Sequence, residues 1–244
     1  MKTSTPVYPK GFTGPRLAVR SPALSTVAQL TAAWHLGPLG DRWLHTIGVA
    51  RRAADLADLL GLHADVLVAA AWLHDIGYAK QAVVTGFHPL DGAHFLAGQL
   101  WPSRITGLVA HHSGARFVAT ARGLRSALAA YPDEGGLMSD VLTYADQTVG
   151  PQGQQVTLAQ RRAELLGRQG ADSRIAAVEH VRGPVLRAAA ARVERRLAPP
   201  EIPMTRFEPA LPRVSFGATP HTRVGNGASP ASRQSVDAPS VAYQ

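Results

Sequence analysis

The stretch AAAWLHDIGYAKQ, residues 69–81, opens like the end of an ordinary buried helix and then sets His74 beside Asp75, directly after the apolar run. Such a pair can simply cap and solvate a helix end. It can also hold a metal, because neighbouring residues leave a helix about 100° apart and one ion near the helix end is approachable by both. A lone His-Asp pair arises by chance in many chains. Its meaning depends on whether other ligand-type residues converge on it.

Working outward, nearly everything between residues 21 and 198 has helical spacing. SPALSTVAQLTAAWHLG begins with Ser21-Pro22, a good N-cap and first-turn pair, and ends near Gly37. GDRWLHTIGVARRAADLADLLG runs from Asp41 to Gly61 with Leu44, Ile47, Ala50 and Leu59 along one side. HADVLVAAAWLHDIG comes next and is expected to stop at Gly77 as a C′ glycine. HPLDGAHFLAGQL and PSRITGLVAHH are shorter helices parted by Trp101-Pro102. RGLRSALAA, GLMSDVLTYADQ, TLAQRRAELLG and DSRIAAVEHVRGPVLRAAAARVERRLA complete the set. Alternating strand patterns of useful length are absent, so the domain over 21–198 is expected to be all-α. Residues 1–20 mix Pro, Gly, Thr and basic residues without periodicity and read as a flexible basic arm. The segment 199–244 is rich in Pro, Ser and Gly, lacks an apolar stripe and reads as a disordered tail.

Composition narrows the chemistry. The chain has no cysteine, which excludes disulfides, thiolate metal sites and cysteine nucleophiles and leaves His, Asp and Glu as metal ligands. The formal charge is +8, but Lys2, Lys10, Arg16 and Arg20 stand in the arm with no acid beside them. The body is therefore only mildly basic, and charge alone makes no case for nucleic acid. No apolar run reaches the ~18–20 residues that span a bilayer, and the N-terminus lacks a basic segment followed by an apolar core. A cytoplasmic protein with no membrane partner is expected.

Several of the ten histidines stand where helices begin or end. His45 lies in the first turn of its helix, His88 opens one, and His111-His112 closes another. Asp146 ends the helix SDVLTYADQ, where the preceding Val141, Leu142 and Ala145 put it beside the core. Imidazole and carboxylate hold borderline and hard divalent cations when thiolates are missing. The ordered series His45, His74-Asp75, His88, His111-His112, Asp146 is far more specific than the pair alone. Asp41 reads more simply as a solvated N-cap of its helix, and His94, six positions from His88, falls on a different face.

The series resembles the HD superfamily of metal-dependent phosphohydrolases, whose minimal pattern is H…HD…D on an all-α bundle. The matching contexts are LHTIGVA for His45, AAWLHDIG for His74 and Asp75, and TYADQ for Asp146, and the resemblance covers about residues 40–165. Two-metal members add a His in an H-P-x-x-G-A setting and one or two further on; HPLDGA holds His88 and VAHHSG holds His111 and His112. The resemblance implies two divalent ions, drawn from Fe, Mn, Co, Ni, Zn or Mg. One would be held by His45, His74, Asp75 and Asp146, the other by His88, His111 and His112, with Asp75 bridging. The cyclic-dinucleotide branch carries Gly-Tyr-Pro after its paired histidines, whereas this chain has HHSGARF; the guanosine-tetraphosphate hydrolases place acids after their dyad, whereas this chain has IGYAK. Small HD proteins, including the dinucleoside-tetraphosphate hydrolase type, look most similar.

Two divalent ions roughly 3.5–4 Å apart activate a water and clamp phosphoryl oxygens, and charge developing on those oxygens calls for cations nearby. Asp75 and Lys80 are the catalytic candidates. Lys80 stands just after the dyad on a loop, Arg52 lies two turns from His45 near the same helix face, and Arg161 and Arg162 sit on an element expected to return over the pocket. These four are the candidates for binding substrate phosphate. The expected partner is a small phosphorylated molecule such as a nucleotide, cleaved at an ester or anhydride. Two other readings of the same ligands stay open: a mixed-valence di-iron oxygenase on the HD fold, and a non-catalytic metal-binding regulatory module.

Overall fold

The computed structural model describes residues 23–170 and 172–199. The arm expected over 1–20 and, apart from Pro199, the tail expected over 199–244 lie outside them. The helices are α1 (Leu24–Leu36), α2 (Asp41–Leu60), α3 (Ala64–Leu73), α4 (His88–Gly98) and α5 (Ser103–His111). They continue with α6 (Ala115–Ala121), α7 (Arg125–Leu128), α8 (Gly136–Gln147), α9 (Leu158–Gln169) and α10 (Arg174–Leu197). Among the described residues there is no strand, only an isolated antiparallel bridge between Val149 and Gln155. The architecture is all-α.

The sequence of α3, ADVLVAAAWL, has almost no polar face, and a helix that is apolar all round belongs in the middle of a bundle. There it packs against α1, α2, α5 and α8. Leu67 and Leu73 are fully buried, and Ala69, Ala70 and Ala71 let the neighbouring helices come close. Burying one such leucine is worth about 1.5–3 kcal/mol. A central helix of this kind draws the turn at its C-terminal end into the interior. His74 and Asp75 occupy that turn.

The start of α1 is fixed from another helix. Ala23 has no capping side chain, and Asp65 at the start of α3 takes its place, accepting from the Leu24 and Ser25 backbone N–H groups at 3.0 and 2.8 Å and from the Ser25 hydroxyl at 2.6 Å. This satisfies donors that a helix start leaves unpaired. The expected Ser21-Pro22 start lies outside the described residues. At the end of α2, Gly61 adopts the left-handed conformation and closes the helix on Ala57 and Asp58.

Gly77 has a different role from the one expected. The α-helix ends at Leu73, His74 and Asp75 form the turn after it, and a 3-10 turn spans Ile76–Tyr78. Gly77 is instead a point of close approach. A Cβ there would lie 2.0 Å from the His88 carbonyl and 2.7 Å from the Gly92 nitrogen, so only glycine lets α4 dock on the dyad turn. The periodicity of the sequence also gave no sign of α6, a short helix that buries Ala115, Val118 and Ala119. Together with Phe87, Leu90, Ala93 and Ala110 these form a second apolar cluster.

Candidate metal centre

Four helix ends and one turn converge at the centre of the bundle. His45 comes from the first turns of α2, His74 and Asp75 from the end of α3, and His88 from the first residue of α4. His112 stands just after α5, and Asp146 at the end of α8. His45, His74, Asp75, His112 and Asp146 are buried, and His88 is partly so.

Their ligand atoms form two groups, His45, His74 and Asp146 in one and Asp75, His88 and His112 in the other. In the first, His45 Nε2 lies 3.1 Å and His74 Nε2 4.0 Å from Asp146 Oδ1. In the second, His88 Nε2 lies 3.2 Å from Asp75 Oδ1 and 3.3 Å from His112 Nε2. Asp75 touches both, because its Oδ2 lies 3.3 Å from His74 Nε2 and 3.9 Å from His45 Nε2.

The protein fixes which face of three rings looks inward. The Nδ1 atoms of His45, His74 and His112 face the carbonyls of Gly150, Ala71 and Val109 at 3.2, 2.7 and 2.6 Å. A carbonyl only accepts, so Nδ1 carries the proton and Nε2 is presented to the cluster, the arrangement by which metal-binding histidines are held. His74 Nε2 is buried with no hydrogen-bond partner among the described residues, a loss that burial rarely tolerates without a ligand. Two nitrogens at the usual bond length on a tetrahedral ion stand about 3.4 Å apart, close to the observed His88–His112 separation. The donor set fits a divalent metal.

The family model for the HD domain matches residues 42–147. That span, rather less than half of the chain, is similar to the HD domain family. The matched span runs from Arg42 to Gln147, and both side chains border the ligand cluster. HD domains bind divalent metals and belong to a superfamily of metal-dependent hydrolases. No curated protein and no solved structure matches the chain.

Charge in the His/Asp cluster is balanced around the two carboxylates. Burial pushes the Asp75 carboxyl up, but the Arg42 guanidinium, His74 and His88 together hold it well below the usual carboxylate range. Burial acts on Asp146 in the same direction and is outweighed by the His45 hydrogen bond and the nearby His74 charge. His88 is driven well below the ordinary imidazole value by burial and by His112 and Arg42, against the opposing pull of Asp75. His112 is lowered by burial and by His74. Both rings are therefore neutral at neutral pH, the form that ligates metal.

The sequence-derived candidates separate in the structure. His45, His74, Asp75, His88, His112 and Asp146 are brought together. His111 is not: its Nε2 faces the Tyr131 carbonyl at 3.0 Å and its Nδ1 looks toward Asp133 at 3.8 Å. Arg161 is buried beside the cluster, 3.8 Å from Asp146. Arg162, one position on, is half-exposed, pairs with the buried Glu179 at 2.6 Å and does not line the cavity. Arg52 lays its guanidinium over the Tyr144 ring at 5.6 Å, and Lys80 is exposed on its loop; neither borders the ligand cluster's cavity.

Residues that sequence reasoning missed complete the site. Arg42, three residues before His45 on α2, reaches Asp75 Oδ2 at 2.5 Å and covers the Tyr78 ring at 4.1 Å, while Tyr78 stacks on His88 at 4.3 Å. The i,i+3 spacing from His45 was the available signal. Ser113 holds a positive φ of 50°, uncommon outside glycine. Three tethers keep it there: its N–H donates to Thr143 Oγ, its hydroxyl to Asp146, and its carbonyl accepts from Arg182 Nε at 3.0 Å. Gln147 Nε2 also donates to Asp146, at 2.9 Å. Above the cluster opens a cavity of about 320 Å³. Among the described residues six arginines border it: Arg42, Arg122, Arg161, Arg168, Arg174 and Arg182.

Proposed function

We propose that this protein is a metal-dependent phosphohydrolase that cleaves a phosphate ester or anhydride of a nucleotide or another small phosphorylated molecule. The observation that carries the reading is a cavity lined by Asp75, His88, His112 and Asp146 and, among the described residues, by six arginines. A neutral substrate gains little from such walls. A phosphate set at the cluster gains charge-assisted hydrogen bonds from the arginines nearest it, Arg161 above all.

His45, His74 and Asp146 would hold one divalent ion and Asp75, His88 and His112 a second, with Asp75 bridging. When bound, the ions supply a water activated at neutral pH and neutralise phosphoryl oxygens. The other residues orient and bind. Arg42 fixes Asp75, and Ser113 with Gln147 fixes Asp146. Arg161 is the strongest candidate for gripping phosphate, since its Nε is buried with no hydrogen-bond partner. Leaving such a donor unpaired costs about 1–3 kcal/mol, recovered when a phosphate oxygen accepts from it. Partial burial of the Tyr78 phenol and the Asp75 charge push its pKa up to about 12, so it keeps its proton and can donate to an anionic oxygen. In the net reaction one P–O bond to the leaving group breaks, one P–O bond to the water oxygen forms, and the leaving oxygen takes up a proton.

The test is to reconstitute the full chain in turn with Mn, Co, Ni, Zn, Mg and Fe and to measure phosphate release over a nucleotide panel. Release that depends on the metal supports the reading. Oxygen-dependent colour change in the iron-loaded protein without any release would transfer the site to the oxygenase alternative.

A further inference from the structure

The six arginines around the cavity differ in what they are bound to. Arg42 pairs with Asp75, Arg161 with Glu164 and Asp146, Arg168 with Glu164, and Arg182 with Glu179. Arg122 and Arg174 have no carboxylate partner among the described residues. Backbone carbonyls hold them instead. Arg122 donates from Nη1 to Gly86 at 2.7 Å and from Nη2 to Thr85 at 2.8 Å, and Arg174 donates from Nη1 to Ala121 at 2.6 Å. A carbonyl orients a guanidinium without cancelling its charge. Each guanidinium has five N–H groups, so both keep donors to spare.

The two also share a corner of the cavity, since Arg174 grips the carbonyl of the residue before Arg122. Gly86, which Arg122 holds, is two residues from His88, a backbone span of at most about 7 Å. Phe87, Ala115, Val118 and Ile175 line the same cavity with apolar surface. The cavity therefore joins the His/Asp floor, an apolar wall and a corner carrying two uncompensated positive charges.

We propose that Arg122 and Arg174 form a second anion subsite, so that the preferred substrate carries a further phosphate or carboxylate beyond the phosphate set on the His/Asp cluster. The proposal rests on the phosphohydrolase reading for the first phosphate. It deepens that reading by naming the substrate class: small molecules with two separated anionic groups around an apolar or planar middle.

Non-hydrolysable probes separate this from turnover. Calorimetric titration of the Mn-loaded full-length protein with phenylphosphonate, 4-phosphonobenzoate and 1,4-phenylenebisphosphonate compares one anionic group with two. The carboxylate and phosphonate arms distinguish the two chemistries. At least one doubly anionic probe should bind tenfold or more tighter than phenylphosphonate. Arg122→Gln/Arg174→Gln should remove that preference and leave phenylphosphonate affinity within about twofold. Because Arg122 also steadies the 85–86 loop, Arg174→Glu provides a second variant: Arg174 is exposed, holds one carbonyl, and its reversal should remove the preference alone. Equal affinity for all three probes in the wild type, no binding of either doubly anionic probe, or a preference that survives Arg174→Glu overturns the subsite. Absence of phosphate release from every substrate would instead count against the hydrolase reading, and the binding result would stand apart from it.

Discussion

His88 Nε2 and His112 Nε2 face each other across 3.3 Å, while His111, adjacent to His112 in the chain, turns its ring to the Tyr131 carbonyl. Adjacent histidines thus have opposite prospects. His88→Ala and His112→Ala should each lower bound metal from two ions toward one per chain, because Asp75 would keep a single imidazole partner in that group. His111→Ala should leave metal content unchanged. Elemental analysis of the three purified variants checks this, and loss of an ion from His111→Ala would contradict the assignment.

Arg42 supplies positive charge next to Asp75, with the carboxylate buried and the guanidinium nearly so. Removing one partner of a buried pair costs about 3–5 kcal/mol, and the residual exposure of Arg42 places Arg42→Ala near the lower end. With chelator present, its melting temperature should fall by roughly 6–12 °C. Bound divalent metal supplies charge at the same carboxylate, so the fall should shrink when metal is added. Thermal melts with and without chelator give the comparison; equal losses under both conditions would show that Arg42 acts by packing alone.

The all-α fold and the gathering of His and Asp side chains at helix ends were legible because they are written in local patterns: apolar spacing, and His or Asp near helix boundaries. The direction in which adjacent side chains point was not. Whether His111 or His112 turns inward depends on the turn after α5, where the Val109 carbonyl accepts a hydrogen bond from His112 Nδ1. Arg42 and Arg52 share α2, and only the positions of Asp75 and Tyr144 on other helices decide which one borders the site. Gly77 reads as a helix stop in sequence, while its necessity comes from α4 lying against it. These are tertiary facts with no local signal.

Gly77→Ala should therefore damage the site through the backbone. A methyl group would meet the His88 carbonyl at 2.0 Å, forcing α4 away from the dyad turn. Overpacking of this kind costs typically about 1–3 kcal/mol, and a backbone neighbour puts this case at the upper end. The expected result is a lowered melting temperature together with weakened metal binding, since His88 moves with α4. A variant as stable and as metal-rich as wild type would show that the loop yields freely.

Asp65 gives a pH-dependent contribution away from the metal. Hydrogen bonds from the Ser25 hydroxyl and backbone, with a further one from Leu24, hold its carboxyl below its ordinary value. A depressed carboxylate adds stability that is fully present above the unfolded pKa and is lost as pH falls through the folded one. Asp65→Ala should cost about 1 kcal/mol at pH 7, as for a lost helix cap. The gap from wild type should narrow below about pH 4, which melting curves at pH 7 and pH 3 would reveal. A gap that is constant with pH would remove the charge from the explanation.

Hydrolysis as proposed here depends on metal held by the carboxylates at the centre of the bundle. Phosphate release by the reconstituted wild type and by Asp75→Ala, measured alongside the metal content of both, tests it most directly. Release by wild type should be chelator-sensitive, and Asp75→Ala should keep its helical circular dichroism but lose both ions and at least about a thousandfold in rate, the order expected when metal activation is forfeited. Full metal occupancy in Asp75→Ala, or phosphate release undiminished by its loss, would contradict it.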